Sequence, residues 1–134
     1  MIELLPDYKI ITTKEIGYEV GIAFKKEKFT LLDSGHFFLS SNPEIPDKSW
    51  GADLPRATIW AKLKINTSNE IFYFFSTHLD TKSVIARREG SRINIEKINK
   101  ISSGYPVFLV GDMNCKAKEK TAHYQMKSYM EDSY

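Results

Sequence analysis

Three short polar stretches hold the side chains best suited to chemistry. The first is Ser76-Thr77-His78-Leu79-Asp80, the second Gly111-Asp112-Met113-Asn114, and the third Leu54-Pro55-Arg56. Arg and protonated His bind an oxyanion, Asn donates hydrogen bonds, and Asp orients or deprotonates a water. His78, Asp112, Asn114 and Arg56 gathered at one cleft would therefore suit a phosphate ester. Each also has an ordinary reading. A single His is most often structural, Gly-Asp-x-Asn makes a good turn, and Leu-Pro-Arg can be a strand entry with a solvated Arg. We read His36 and His123 as structural and Lys116, Lys118 and Lys120 as a solvated face. Trp60 reads as core or sheet surface, whereas Trp50, in a long loop, is placed to line a substrate pocket.

The elements that must position these groups are legible from periodicity. Residues 20–25 and 28–33 read as short strands joined at Lys26-Glu27. Residues 58–65 alternate, with Ile59, Ala61, Leu63 and Ile65 on one side and Trp60, Lys62 and Lys64 on the other, as a half-buried strand does. Residues 71–77 are nearly continuously apolar and predict a fully buried central strand, with Phe72, Tyr73, Phe74 and Phe75 as core. Residues 83–102 predict a helix with Ile95, Ile98 and Ile101 along one side, a Glu96–Lys100 pair, and a stop at Gly104 and Pro106. Residues 107–110 read as a short buried strand. Ala122, Met126, Tyr129 and Met130 fall at helical spacing, so the tail predicts an amphipathic helix. Residues 42–55, with Pro43, Pro46, Gly51 and Pro55, form the one long loop. The order implies a layered α/β sandwich, and the candidate groups stand at strand ends, where ligands gather in α/β sheets.

Length and composition narrow the class. The chain has 134 residues, 42% hydrophobic and 27% charged, as a globular domain has. Its net charge of +2 is too weak to imply nucleic-acid binding. Cys115 is the one cysteine, which excludes an internal disulfide and a Cys-based zinc site and leaves the compartment unread. No apolar run approaches the ~18 residues of a membrane span, and the first residues lack a secretory-signal pattern.

Taken in order, four stretches resemble the endonuclease/exonuclease/phosphatase family, metal-dependent phosphoesterases with a deoxyribonuclease-like fold. They are Ile22-Ala23-Phe24-Lys25-Lys26-Glu27-Lys28-Phe29; Phe37-Phe38-Leu39-Ser40 through Trp50 to the run from Leu54-Pro55-Arg56 to Leu63; Phe75-Ser76-Thr77-His78-Leu79-Asp80 with Ala86-Arg87-Arg88-Glu89; and Val110-Gly111-Asp112-Met113-Asn114. The resemblance implies a mixed β-sheet in an α/β sandwich, with residues 1–134 forming a single partial domain truncated at both ends. It implies that His78 contacts the scissile phosphate, that Asp112 orients or activates the attacking water, that Asn114 positions water or transition state, and that Arg56 contacts phosphate. It also implies a divalent cation, Mg²⁺ or Mn²⁺. The substrate would be nucleic acid, a sugar or inositol phosphate, or a phospholipid headgroup.

Departures qualify this. Ser76 stands where the family commonly has Asn, and Gly90 where Gln often follows the helix arginine. The family's upstream Asn and Glu and its closing Asp-His pair have no counterpart, and Glu3 is a poor substitute ligand. Asp112, Asn114 and Asp80 offer too little charge for Mg²⁺, so its principal ligands are expected outside the chain. The chain alone is then expected to hydrolyse phosphate esters weakly or not at all. The rival reading is a non-catalytic truncated fold that oligomerises or binds a partner. Half of a two-sheet sandwich leaves an apolar face open, so homo-oligomerisation, swapping or a rearranged fold is expected.

Overall fold

The computed structural model describes residues 5–131 apart from 16, 18 and 116–121, and gives only the backbone of 122–124. Glu3, Lys116, Lys118, Lys120 and the His123 side chain thus lie outside the described residues. Among the described residues, six strands, β1 (Tyr8–Thr12), β2 (Gly21–Lys25), β3 (Phe29–Phe38), β4 (Ala57–Ile65), β5 (Ile71–His78) and β6 (Val107–Asp112), are joined by two α-helices, α1 (Val84–Ser102) and α2 (Ala122–Lys127). Strands β3 to β6 form one sheet in sequence order. The pairings β3–β4 and β4–β5 are antiparallel, and β5–β6 is parallel with α1 as its crossover. The expected mixed sheet and α/β layering are present, with few helices.

Alternation assigns the two faces. Thr58 and Trp60 of β4 and Tyr73, Phe75 and Thr77 of β5 look toward α1. There Phe37, Leu39, Tyr73, Phe75, Leu79, Ile93, Ile98 and Met126 make one buried cluster. Ala57, Ile59, Ala61 and Leu63 look the other way and pack on Val20, Ile22 and Phe24. Helix α1 starts at Ser83, whose hydroxyl accepts the Ala86 N–H, and ends with Ser103 and Gly104 both at positive φ.

Several expectations are corrected. Residues 20–25 and 28–33 are not partners. Strand β2 pairs antiparallel with β1, an unforeseen strand, while β3 runs on to Phe38 and pairs with β4. Burial decides this, because the Ile22 and Phe24 stripe gains more by covering Ile59, Ala61 and Leu63 than by lying beside β3 at the sheet edge. The Lys26 N–H donates to the Asp7 carbonyl (2.9 Å) and turns the chain from one sheet into the other. Strand β5 is central but buried mainly on one face, since Phe72 and Phe74 are half-buried. Strand β6 is not buried: as the last strand of the sheet it leaves Phe108 55% and Val110 43% exposed. Glu96 pairs with Arg92 at 2.6 Å, one turn back rather than forward to Lys100. Helix α2 ends before Tyr129 and Met130, which lie beyond it.

Candidate active site

Because β5 and β6 run parallel, their carboxyl ends lie side by side, and His78 and Asp112 are register partners. The pair one residue earlier, Thr77 and Gly111, sets how closely the strands approach. Gly111 has φ 148°, and a Cβ there would lie 1.9 Å from the Thr77 carbonyl oxygen, so no other residue fits without moving the strand. Beyond it the chain is stitched back to β5. The Leu79 N–H donates to the Asp112 carbonyl at 2.9 Å, and Asn114 Nδ2 donates to the Leu79 carbonyl at 2.8 Å. Asn114 takes a left-handed φ of 49°, which Asn tolerates, and its N–H donates to Asp112 Oδ1 at 2.9 Å. One carboxylate oxygen of Asp112 is thereby fixed, and Oδ2 stands 3.8 Å from His78 Nε2.

Arg56 reaches the same corner from the end of the long loop. It is only 4% exposed, so it forms the inner part of the site while His78 forms the outer. Its Nη1 donates to Glu19 Oε2 at 2.7 Å and lies 3.2 and 3.4 Å from His78 Nδ1 and Nε2. A position nearly equidistant from both ring nitrogens is off the axis of either lone pair, so this contact is chiefly one of charge and packing. Glu19 Oε2 lies 3.8 Å from His78 Nδ1. No motif singled out Glu19. The available signal was physical: a buried guanidinium requires a counter-charge, and a carboxylate just before an apolar strand is a natural source.

Asp80 supports the corner from below. It is buried, with Oδ1 accepting the Asp53 N–H (2.9 Å) and Oδ2 the Lys82 (2.9 Å) and Ser83 (2.7 Å) N–H groups, and Oδ1 stands 3.8 Å from Arg56 Nε. Burial alone would raise its pKa, but the Ser83, Asp53 and Lys82 N–H donors and the Arg56 charge outweigh that and hold it below the ordinary carboxylate value. Asp80 thus ties the long loop to the start of α1. Trp50 packs against the α1-side core, and its carbonyl accepts the Ser83 hydroxyl at 2.8 Å. Cavities of about 620 Å³, by the start of β6, and about 380 Å³, beside the β1–β2 hairpin, lie away from the corner.

The donor set does not fit Mg²⁺ by itself. Such an ion takes an octahedron of oxygens with carboxylates among them. Among the described residues no three His, Cys, Asp or Glu side chains are grouped to hold a cation. Glu19 faces a guanidinium, both Asp80 oxygens are engaged by N–H donors, and Asp112 remains as one carboxylate.

No protein-family model matches the sequence. Solved structures do. An endonuclease/exonuclease/phosphatase family protein from Bacteroides thetaiotaomicron is similar at TM-score 0.87 and 30% identity, over 96% of this chain and 49% of its own. The chain carries the endonuclease/exonuclease/phosphatase fold. A mannosyl-6-phosphatase from the same bacterium has this fold too, and is similar at TM-score 0.86 and 30% identity over 96% of this chain and 50% of its own. An uncharacterized protein of Acanthamoeba polyphaga mimivirus is 26% identical over 123 residues, 77% of this chain and 18% of that protein. The chain therefore spans about half the length of the solved endonuclease/exonuclease/phosphatase structures that it matches. Among the described residues, no helix is long and apolar enough to cross a membrane.

Proposed function

We propose that this chain belongs to a phosphoesterase, a hydrolase acting on a phosphate ester. The observation that carries the reading is the in-register pairing of His78 with Asp112, backed by the buried Arg56–Glu19 pair. In this reading an imidazole N–H donates to a phosphoryl oxygen, with the Arg56 charge behind the ring favouring the anion. Asp112, steadied by the Asn114 N–H, uses Oδ2 to orient a water toward phosphorus. Asn114 acts first as the clamp holding that loop to β5. The similarity to a mannosyl-6-phosphatase supports a sugar phosphate as the first substrate to try, ahead of nucleic acid or a lipid headgroup. We assign the principal ligands of the divalent cation that the resemblance implies to groups other than the described ones.

The test uses two readouts. Inorganic phosphate, the product, should bind the chain in calorimetry and lose most of its affinity in His78→Ala. Bis-p-nitrophenyl phosphate and mannose 6-phosphate, with Mg²⁺ or Mn²⁺, should turn over at or near background. Absence of phosphate binding would overturn the reading. Turnover well above background that His78→Ala and Asp112→Ala both abolish would support the enzyme and refute the expectation that this chain alone is weak.

A further inference from the structure

On the α1 side of the sheet, directly behind the corner, three polar side chains are sealed from water. Thr58, Thr77 and Asn94 are all at most 1% exposed. Thr58 Oγ1 donates to Asn94 Oδ1 at 2.6 Å, Asn94 Nδ2 donates to Thr77 Oγ1 at 3.1 Å, and the two hydroxyl oxygens are 2.7 Å apart. A hydroxyl has one hydrogen to give. That of Thr58 goes to Asn94, so Thr77 donates to Thr58 and the three bonds close a ring running in a single sense.

Each corner of this ring adjoins a site residue. Thr58 follows Arg56 by two positions. Thr77 immediately precedes His78 and is the register partner of Gly111, which immediately precedes Asp112. Asn94 lies on α1, and one turn earlier on the same face is buried Gly90, where a Cβ would come within 3.3 Å of Leu79, the residue after His78. The helix is therefore indexed against β5 on both sides of His78.

We propose that Thr58, Thr77 and Asn94 are positioning residues for the site. Apolar side chains of similar volume would fill the same space without the desolvation that three buried polar groups incur. What a closed ring adds is direction: sliding β4, β5 or α1 past the others breaks two of the three bonds at once. The ring thus fixes the height of His78 relative to Arg56 and Asp112. The inference rests on the phosphoesterase reading only in using phosphate as one of its two probes.

The experiment compares the chain with Thr77→Val, Thr77→Ser and Leu63→Ala, a core variant on the opposite face at the far end of β4. It records the ¹⁵N–¹H signals of the His78 ring, a titration with inorganic phosphate, and the thermal midpoint. Thr77→Val should shift or broaden the His78 signals and weaken phosphate binding about tenfold. Thr77→Ser should restore both. Leu63→Ala should lower the midpoint while leaving both unchanged. A folded Thr77→Val protein with unaltered His78 signals would overturn the proposal. Where that variant does not fold, Asn94→Ser makes the same comparison, because its short side chain cannot bridge both threonines. A parent chain that binds no phosphate would overturn the phosphoesterase reading alone, and the His78 signals would still decide the positioning role.

Discussion

The two faces of the β3–β6 sheet differ in how completely they are closed. Under α1, Phe75 and Leu79 are fully buried, and even the polar groups there have partners in the Thr58–Thr77–Asn94 ring. On the opposite face the β1–β2 hairpin covers β4 but not β6, and Phe108 and Val110 meet solvent. By alternation His78 and Asp112 belong to this open face, in line with Phe74 and Val110. The closed face holds the strands in register, and the open face presents the candidate groups. A rigid side supporting an accessible one is how a small sheet keeps a site both ordered and reachable.

Removing bulk from the closed face should have the largest effect. Phe75→Ala is expected to cost about 3–5 kcal/mol in urea unfolding, and a loss below about 1 kcal/mol would mean that the α1 face is not the core. Asp80→Asn comes next, at about 2–3 kcal/mol near neutral pH, because it weakens three hydrogen bonds and leaves Arg56 less compensated. Its pH dependence has a definite sign. The folded pKa lies below the unfolded one, so the Asp80 contribution is full above the ordinary carboxylate value and is lost as pH falls through the folded value. The stability gap between parent and Asp80→Asn should therefore narrow below about pH 4, and a gap that stays constant there would contradict this assignment. Phe108→Glu should have the smallest effect, about 1 kcal/mol, since the side chain is already about half in water and loses mainly its edge contact with Phe72. It should still change behaviour. We expect the parent to self-associate through this open face at high concentration, and the variant to remain monomeric in light scattering. Identical masses for both would remove the open face as a contact surface.

Much of the site was legible because its residues follow strongly apolar strands. His78 closes the β5 run and Asp112 the β6 run, so both had to lie at strand ends, and the helical pattern between them required a parallel crossover. What was not legible depends on contacts distant in sequence. Tyr8–Thr12 pairs only with β2 and is mostly exposed, so its side chains carry little burial pattern. Val107 to Val110 read as buried because an apolar run looks the same in a central strand as in an edge strand with one face uncovered. Glu19 belongs to no motif, and its role exists only because Arg56 is folded in beside it. Gly90, a departure from the family pattern, has a packing reason, since the helix lies against Leu79 and Leu39 there.

Parallel pairing of β5 with β6 also governs the order of assembly. Strands β4 and β5 form a hairpin with only residues 66–70 between them, and such local contacts form early. The corner is built from distant ones: Asn114 reaches Leu79 across 35 residues, and Arg56 reaches Glu19 across 37. Closing loops of that length is entropically slower to be rewarded, so the corner should be among the last parts to form. In pulse-labelled hydrogen exchange the Leu79 amide, which donates to Asp112, should gain protection after the β4–β5 amides, and simultaneous protection would refute this order. A chain halted after that hairpin would possess paired strands and no site.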